Sequence, residues 1–322
     1  MQELIAYAEY LEEKIEQIDL PNSPSNLYDP LRYFLKLGGK RIRPILTLLS
    51  AEMFGKDKDY ALDAALAIEL FHNFTLIHDD IMDQAPLRRN KETVHVKWNT
   101  NIAILSGDVL FVKAYEMLTN YQNDQLKELF NLFNKTASEV CEGQQLDMDF
   151  EKSENVSIDE YIEMIRLKTS VLLGCALKFG GIIGGTNESN KNHIYTFGQH
   201  VGIAFQIQDD ILDLFADPDK FGKQIGGDVI ANKKTLLNLK AKELANEEQH
   251  KELIRLSNEE NVKIKVEQTL KLYLELGVRE ACENIMREHY NTAINALSQI
   301  QAPEKHKNNM LALADYLMVR NS

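Results

Sequence analysis

The sequence predicts an all-α fold, a large single-domain helical bundle, on three observations. Its seven prolines fall at 21, 24, 30, 44, 86, 218 and 303, so residues 87–217 and 219–302 contain none. Proline breaks helix interiors, and gaps of that length permit long helices. Apolar residues recur at steps of three and four through most of both gaps, which is the spacing of one helical face. Sustained period-two alternation is missing, as are the Asn-Gly and Asp-Gly pairs that close tight hairpins.

The elements follow in order. In 58–84, Leu62, Ala65, Leu66, Ile68, Leu70, Phe71, Phe74, Ile77 and Ile81 keep the helical step. Similar patterns predict helices over 101–120, 125–148, 157–184, 191–214 and 262–300; in the last, Val278, Ala281, Cys282, Ile285, Ala293, Ala296 and Leu297 share a face. Breaks are expected at Gly38-Gly39, from Pro86 to Asn101, at Gly184-Gly185, and from Ala216 to Asn232. No repeat and no low-complexity linker interrupts the pattern, so residues 1–322 read as one domain. Residues 62–84 and 195–214 are apolar around much of the circumference, and such helices are enclosed by others. A charged residue on an enclosed helix needs a partner or a metal.

Composition narrows the function classes. With 49 acidic and 36 basic side chains the formal net charge is −13, which repels a phosphate backbone and argues against a nucleic-acid partner. The chain is 44% hydrophobic and 26% charged, as globular proteins are. No stretch approaches the ~18–20 uncharged apolar residues of a membrane helix, so stable membrane insertion is not expected. The start, Met1-Gln2-Glu3, is acidic and no apolar signal core follows. Cys141, Cys175 and Cys282 are too widely spaced for a metal knuckle, and unpaired thiols suit a reducing cytoplasm.

Two acidic triplets carry the chemistry: Asp79-Asp80-Ile81-Met82-Asp83 and Asp209-Asp210-Ile211-Leu212-Asp213. Helical residues four apart share a face, so Asp79 aligns with Asp83 and Asp209 with Asp213. Three carboxylates within so short a stretch of buried helix repel one another unless cations intervene. All-oxygen ligand sets of this kind suit Mg²⁺, which keeps waters and bridges to substrate phosphates. Calcium loops of the EF-hand type need a central glycine and a closing glutamate, and neither triplet has them.

Basic residues at loops and helix ends would complete an anion site. Gly38-Gly39-Lys40-Arg41-Ile42-Arg43-Pro44 sets two glycines and three cations before a helix, where backbone N–H groups and arginine forks can grip phosphate. Arg88 and Arg89 follow the first triplet; Lys168 and Thr169 sit mid-chain; Lys223, Lys233 and Lys234 follow the second triplet. Together these read as two anion sites, one metal-bound and one metal-free. His72 lies two turns before Asp79 on its face, and Gln206 one turn before Asp209; His78 points elsewhere and reads as structural.

These residues resemble the trans-isoprenyl diphosphate synthase (polyprenyl synthetase) family over essentially the whole chain. The resemblance rests on Gly38 to Pro44, His72 with Asp79 to Asp83, Arg88-Arg89, Gly143-Gln144-x2-Asp147, Lys168-Thr169, Phe205-Gln206 with Asp209 to Asp213, and Gly226-Gly227-Asp228 with Lys233-Lys234-Thr235, in the family's order. It implies an all-α bundle around a deep central cavity (the isoprenoid synthase fold), usually homodimeric. It implies that Asp79, Asp83 and Asp209 ligate Mg²⁺, three ions per site, with Asp80, Asp210 and Asp213 supporting. Arg88, Lys168, Lys223 and Lys233 would contact an allylic diphosphate; Lys40, Arg43, His72 and Arg89 would hold isopentenyl diphosphate without metal. Thr169 and Gln206 would offer oxygen dipoles to an allylic cation. The implied reaction is ionisation, condensation and elimination. Family members often place glycine after the double arginine, where this chain has Asn90.

The growing product is expected to run along the helix from Asp79 towards residue 62. Phe74 lies five residues back, about 7.5 Å at ~1.5 Å per residue, and Thr75, four back, is small. An aromatic at the fifth position alone resembles the geranylgeranyl (C20) pattern, with farnesyl (C15) the alternative; Phe71, a turn deeper, is a candidate floor. A class I terpene cyclase would carry a different second motif and need no isopentenyl site. A non-catalytic partner subunit would have lost a triplet. Near the C-terminus, Arg320 is expected to fray rather than close over a site.

Overall fold

The structure, a computed structural model, describes residues 2–153, 155–216 and 225–318. It is all-α. The helices are α1 (Gln2–Glu16), α2 (Ser25–Leu35), α3 (Ile42–Met53), α4 (Lys58–Met82), α5 (Val94–Lys97), α6 (Thr100–Leu118), α7 (Asn123–Lys152), α8 (Ile158–Ile165), α9 (Val171–Ile183), α10 (Glu188–Phe215), α11 (Gly227–Ile230), α12 (Leu236–Leu244), α13 (Glu247–Ser257), α14 (Val262–Glu275), α15 (Val278–Ser298) and α16 (Glu304–Met318). Two compact units emerge, Met1–Phe133 with Ala176–Lys191, and Asn134–Cys175 with Asn192–Ser322.

In the first unit α4 packs on α3 and α6. Ala61, Ala64, Ala65 and Ala67 alternate along α4 with fully enclosed Ile68 and Phe71, and alanine lets neighbouring helices approach closely. Asp57 caps the start of α4, accepting from Asp59 N at 2.8 Å. In the second unit the core joins Tyr161, Met164 and Ile165 of α8 to Ile203, Ile207, Ile211 and Leu214 of α10, with Leu236, Leu237, Tyr273 and Cys282.

Three expectations are corrected. The pattern over 157–184 is not one α-helix: a π-helical turn, Arg166–Ser170, separates α8 from α9. The pattern over 262–300 is divided at Gly277, whose φ of 70° ends α14 and starts α15; only the apolar spacing continues across the break. Residues 87–92 form a small hairpin, Leu87 opposite Glu92 and Arg88 opposite Lys91, without the expected turn dipeptide. Arg89 and Asn90 adopt φ of 53° and 62° instead, the two positive values that a tight hairpin turn needs. Asparagine tolerates that conformation, so Asn90 suits the second position of the turn.

Candidate active site

Both acidic triplets lie at the C-terminal end of a long helix. Asp83 is the C-cap of α4, and Asp209 to Asp213 occupy the last turns of α10. Helix C-termini carry partial negative charge, so carboxylates there are disfavoured by the dipole and by one another. All-oxygen ligands set where nothing in the helix balances them fit a divalent cation such as Mg²⁺. Among the described residues no three acidic, histidine or cysteine side chains converge into a ready-made metal cage.

In the first unit, Asp80 turns inward and is 1% exposed, whereas Asp79 is partly exposed and Asp83 exposed. Arg88 holds Asp80 through Nε at 2.9 Å to both carboxylate oxygens and through Nη2 at 2.8 Å. The same guanidinium is 3.9 Å from Asp79. Burial pushes the Asp80 pKa upward, and Arg88 opposes that shift. The hairpin 87–92 delivers this arginine to α4.

The residues expected to form the metal-free anion site also lie in this unit. Arg43 Nη1 lies 3.2 Å from His72 Nε2, and Arg43 Nε is buried with no hydrogen-bond partner. Burial, followed by the charge of Arg43, holds the His72 pKa well below its ordinary value, so the ring is neutral. Burial lowers the Arg43 pKa to about 10, still leaving it charged at neutral pH. Arg89 lies against Gly39, where any Cβ would stand 2.7 Å from its Nη2. Lys40 is exposed beside it. Arg41 plays another part: it is 3% exposed and bonds Glu12, Glu69 and the Leu35 carbonyl. It anchors the loop that carries Lys40 and Arg43.

Phe71 and Phe74 belong to an aromatic cluster within this unit. Phe74 stacks on Phe111 with centroids 4.9 Å apart and an interplanar angle of 8°. Phe71 meets Phe111 at 5.4 Å and Phe133 at 5.2 Å. Thr75 Oγ1 donates to the His72 carbonyl at 2.8 Å. His78 is structural, its ring seated against Gly107 with Nε2 3.1 Å from the Ile104 carbonyl oxygen. Phe111 and Phe133 escaped sequence reasoning because each lies within an ordinary helical apolar pattern.

In the second unit a cavity of about 480 Å³ is lined by Asp147, Lys168, Thr169, Gln206, Asp210 and Lys233, among others. The π-helical turn brings two consecutive residues, Lys168 and Thr169, to its wall. Two glycines allow helices to press on that turn: a Cβ at Gly143 of α7 would strike the Lys168 backbone, and one at Gly202 of α10 would lie 2.8 Å from Ser170 Cα. One helical turn past Gly143, Asp147 accepts from Lys168 Nζ at 2.6 Å. Gln206 Oε1 stands 3.5 Å from Thr169 Oγ1, and its Nε2 donates to Asp210 Oδ1 at 3.4 Å.

Asp210, 4% exposed, accepts a hydrogen bond from the Tyr161 hydroxyl. Burial pushes its pKa up to about 7, and Asp228 adds to the shift. Tyr161, whose own pKa is raised by burial and by Asp210, keeps its proton and donates it. No sequence signal marked Tyr161, which reads as part of the apolar face of α8. Asp213 accepts from Asp228 N at 3.0 Å and so caps α11. Burial and then Asp213 raise the Asp228 pKa to about 6; Lys233, 4.0 Å away, opposes. Lys233 and Lys234 both line the cavity, and Lys234 donates to the Phe150 and Glu151 carbonyls at the end of α7. Lys223 and Arg320 lie outside the described residues.

The sequence profile of the polyprenyl synthetase family matches residues 24–273. The chain belongs to that family. The geranylgeranyl pyrophosphate synthase of Geoglobus acetivorans is 38% identical over 317 residues, 98% of this chain and 97% of its own. A geranylfarnesyl diphosphate synthase of Natronomonas pharaonis is 40% identical over 238 residues, covering 68% of this chain and 70% of its own. The crystal structure of geranylgeranyl pyrophosphate synthetase from Pyrococcus horikoshii superposes with a TM-score of 0.93 at 37% identity, over 99% of both chains. The expected isoprenoid synthase fold is therefore the fold found.

Proposed function

We propose that this polyprenyl synthetase condenses isopentenyl diphosphate with allylic diphosphates and makes geranylgeranyl diphosphate. The observation that supports the reading is the cluster of Arg43, neutral His72 and Arg89 over Gly39, which would suit a metal-free anion. Arg43 presents an unsatisfied buried N–H there, as a site for a second diphosphate requires and a cyclase does not. Asp79, Asp83 and Asp209 would ligate Mg²⁺, three ions in all, with Asp80, Asp210 and Asp213 behind them. When bound, Mg²⁺ supplies electrostatic stabilisation to the diphosphate leaving group.

Arg88, Lys168, Lys223 and Lys233 would hold the allylic diphosphate, while Lys40, Arg43, His72 and Arg89 hold isopentenyl diphosphate. The allylic C–O bond breaks, and pyrophosphate departs with the electron pair. The isopentenyl double bond then supplies the pair that forms the new C–C bond. A proton leaves the resulting tertiary cation and passes to pyrophosphate. Thr169 and Gln206 direct oxygen dipoles at the positive charge without offering a strong nucleophile.

Residues 1–322 would act as one synthase domain, and the family match runs through segments of both units. A homodimer is supported by the apolar face of α6, where Leu105 and Val112 are each 57% exposed. Among the described residues no helix is long and apolar enough to cross a membrane, and the free thiols suit a cytoplasmic location.

The test supplies Mg²⁺, labelled isopentenyl diphosphate and C5, C10 or C15 primers, and reads chain length after dephosphorylation. C20 is the expected product. A dominant C15 or C25 product corrects the length and keeps the chemistry, whereas no condensation by folded protein overturns the reading. Phe74→Ala should lengthen the product by one or more C5 units; unchanged length removes Phe74 from the floor.

A further inference from the structure

A buried ammonium lies behind the segment that carries Lys233. Lys265 of α14 is 6% exposed, and its Nζ donates to the carbonyls of Ser257 at 3.1 Å and Ile230 at 3.4 Å. Ser257 ends α13 and Ile230 ends α11, so the cation sits at the negative ends of two helices. Burying an ammonium is unfavourable unless hydrogen bonds compensate it, and here the two carbonyls do so, which ties α14 to the ends of both helices.

What it fixes is α11. Four residues are far too few for an independently stable helix, and α11 is held from both ends. At its start, Asp213 accepts from Asp228 N at 3.0 Å through its side chain and from Gly226 N at 2.6 Å through its carbonyl. At its end is Lys265. Val266, the next residue of α14, packs on Gly226, where a Cβ would lie 2.9 Å from each valine methyl. Thr269 and Tyr273 continue the Lys265 face and line a void of about 40 Å³ together with Asp213, Asp228 and Lys233. Lys233 follows directly, its backbone N–H bonded to the Asp228 carbonyl at 2.9 Å.

We infer that Lys265 is a positioning residue for prenyl transfer: by holding the end of α11, it sets where Lys233 and Asp228 stand and thereby the affinity for the allylic diphosphate. This rests on the synthase reading above. Isopentenyl diphosphate, assigned to residues of the first unit, should be indifferent to it.

The experiment measures both KM values, kcat and thermal midpoint for the wild type, Lys265→Met and Lys265→Arg. Lys265→Met should raise the allylic KM about tenfold and leave the isopentenyl KM within about twofold. Lys265→Arg, which keeps the donors and the charge, should recover most of the loss. An unchanged allylic KM, or equal rises in both, would overturn the inference and leave Lys265 purely structural. Should Lys265→Met not fold, Lys265→Gln keeps one amide donor without the charge and supplies the same comparison. A wild type inactive with every primer defeats the synthase reading itself, whereas an active wild type with an indifferent variant defeats this inference alone.

Discussion

The two acidic triplets share a sequence pattern and a position at the end of a helix, yet the protein treats them differently. Each buries its middle carboxylate, Asp80 at 1% exposure and Asp210 at 4%. Asp80 is neutralised by the guanidinium of Arg88. Asp210 receives hydrogen bonds from Tyr161 and Gln206, and its pKa rises to about 7. The last members diverge as well: Asp83 is exposed at the helix end, whereas Asp213 caps α11. The same motif letters thus specify an ionic support for one buried carboxylate and a hydrogen-bonded support for the other, and Asp213 also holds the start of α11.

The largest test of that contrast is catalytic. Asp79→Ala should lower kcat/KM on the order of 10³-fold, as expected for a ligand of the leaving group's metal. Asp213→Asn, whose amide oxygen still accepts from Asp228 N, should lower it only about tenfold. Equal losses would dissolve the distinction. Next comes stability in urea without substrate or metal. Arg88→Met, which strands a buried carboxylate, should destabilise by about 3 kcal/mol. Tyr161→Phe, which removes one hydrogen bond from a carboxyl already close to neutral, should destabilise by about 1–2 kcal/mol. The reverse order would mean that the tyrosine, not the arginine, is the stronger support.

The smallest effect is a pH dependence away from either triplet. In the second unit His200 and His289 stack with Nδ1 atoms 2.9 Å apart, and burial lowers the pKa of His289 to about 4. An unfolded histidine takes up a proton near pH 6.5. Between about pH 6.5 and 4 the unfolded chain therefore binds protons that the folded pair refuses, and stability falls as pH falls. Thermal midpoints of His289→Gln should decline less steeply than wild type over that window. Parallel curves would show that the pair does not contribute.

The all-α class, the acidic triplets and the arginines around them were legible because each has a local signature: proline spacing, i,i+4 carboxylates, glycines beside cations. What escaped were features created by long-range contact. The π-helical turn at Arg166–Ser170 keeps the apolar rhythm of its neighbours, so periodicity passes over it. Gly277 divides two helices across which the apolar spacing of the sequence continues. Tyr161 and Lys265 act through partners distant in sequence, Asp210 and Ile230, and nothing adjacent to them announces it. Arg41 looked like its neighbours Lys40 and Arg43, and its contacts with Glu12 and Glu69 are what mark it as an anchor of the loop.

The π-helical turn has a consequence for how this chain tolerates change in length. Such a turn amounts to one extra residue inside an α-helix, so its loss would rotate everything downstream by about 100°. Deleting one residue between Arg166 and Ser170 would restore ordinary winding while swinging the buried face of α9 out of phase with its surroundings. Thr169 would leave the cavity wall at the same stroke. Apart from Lys168 and Thr169, which line the cavity, the segment should therefore tolerate exchanges of side chain far better than any single-residue deletion, making its length the constrained quantity.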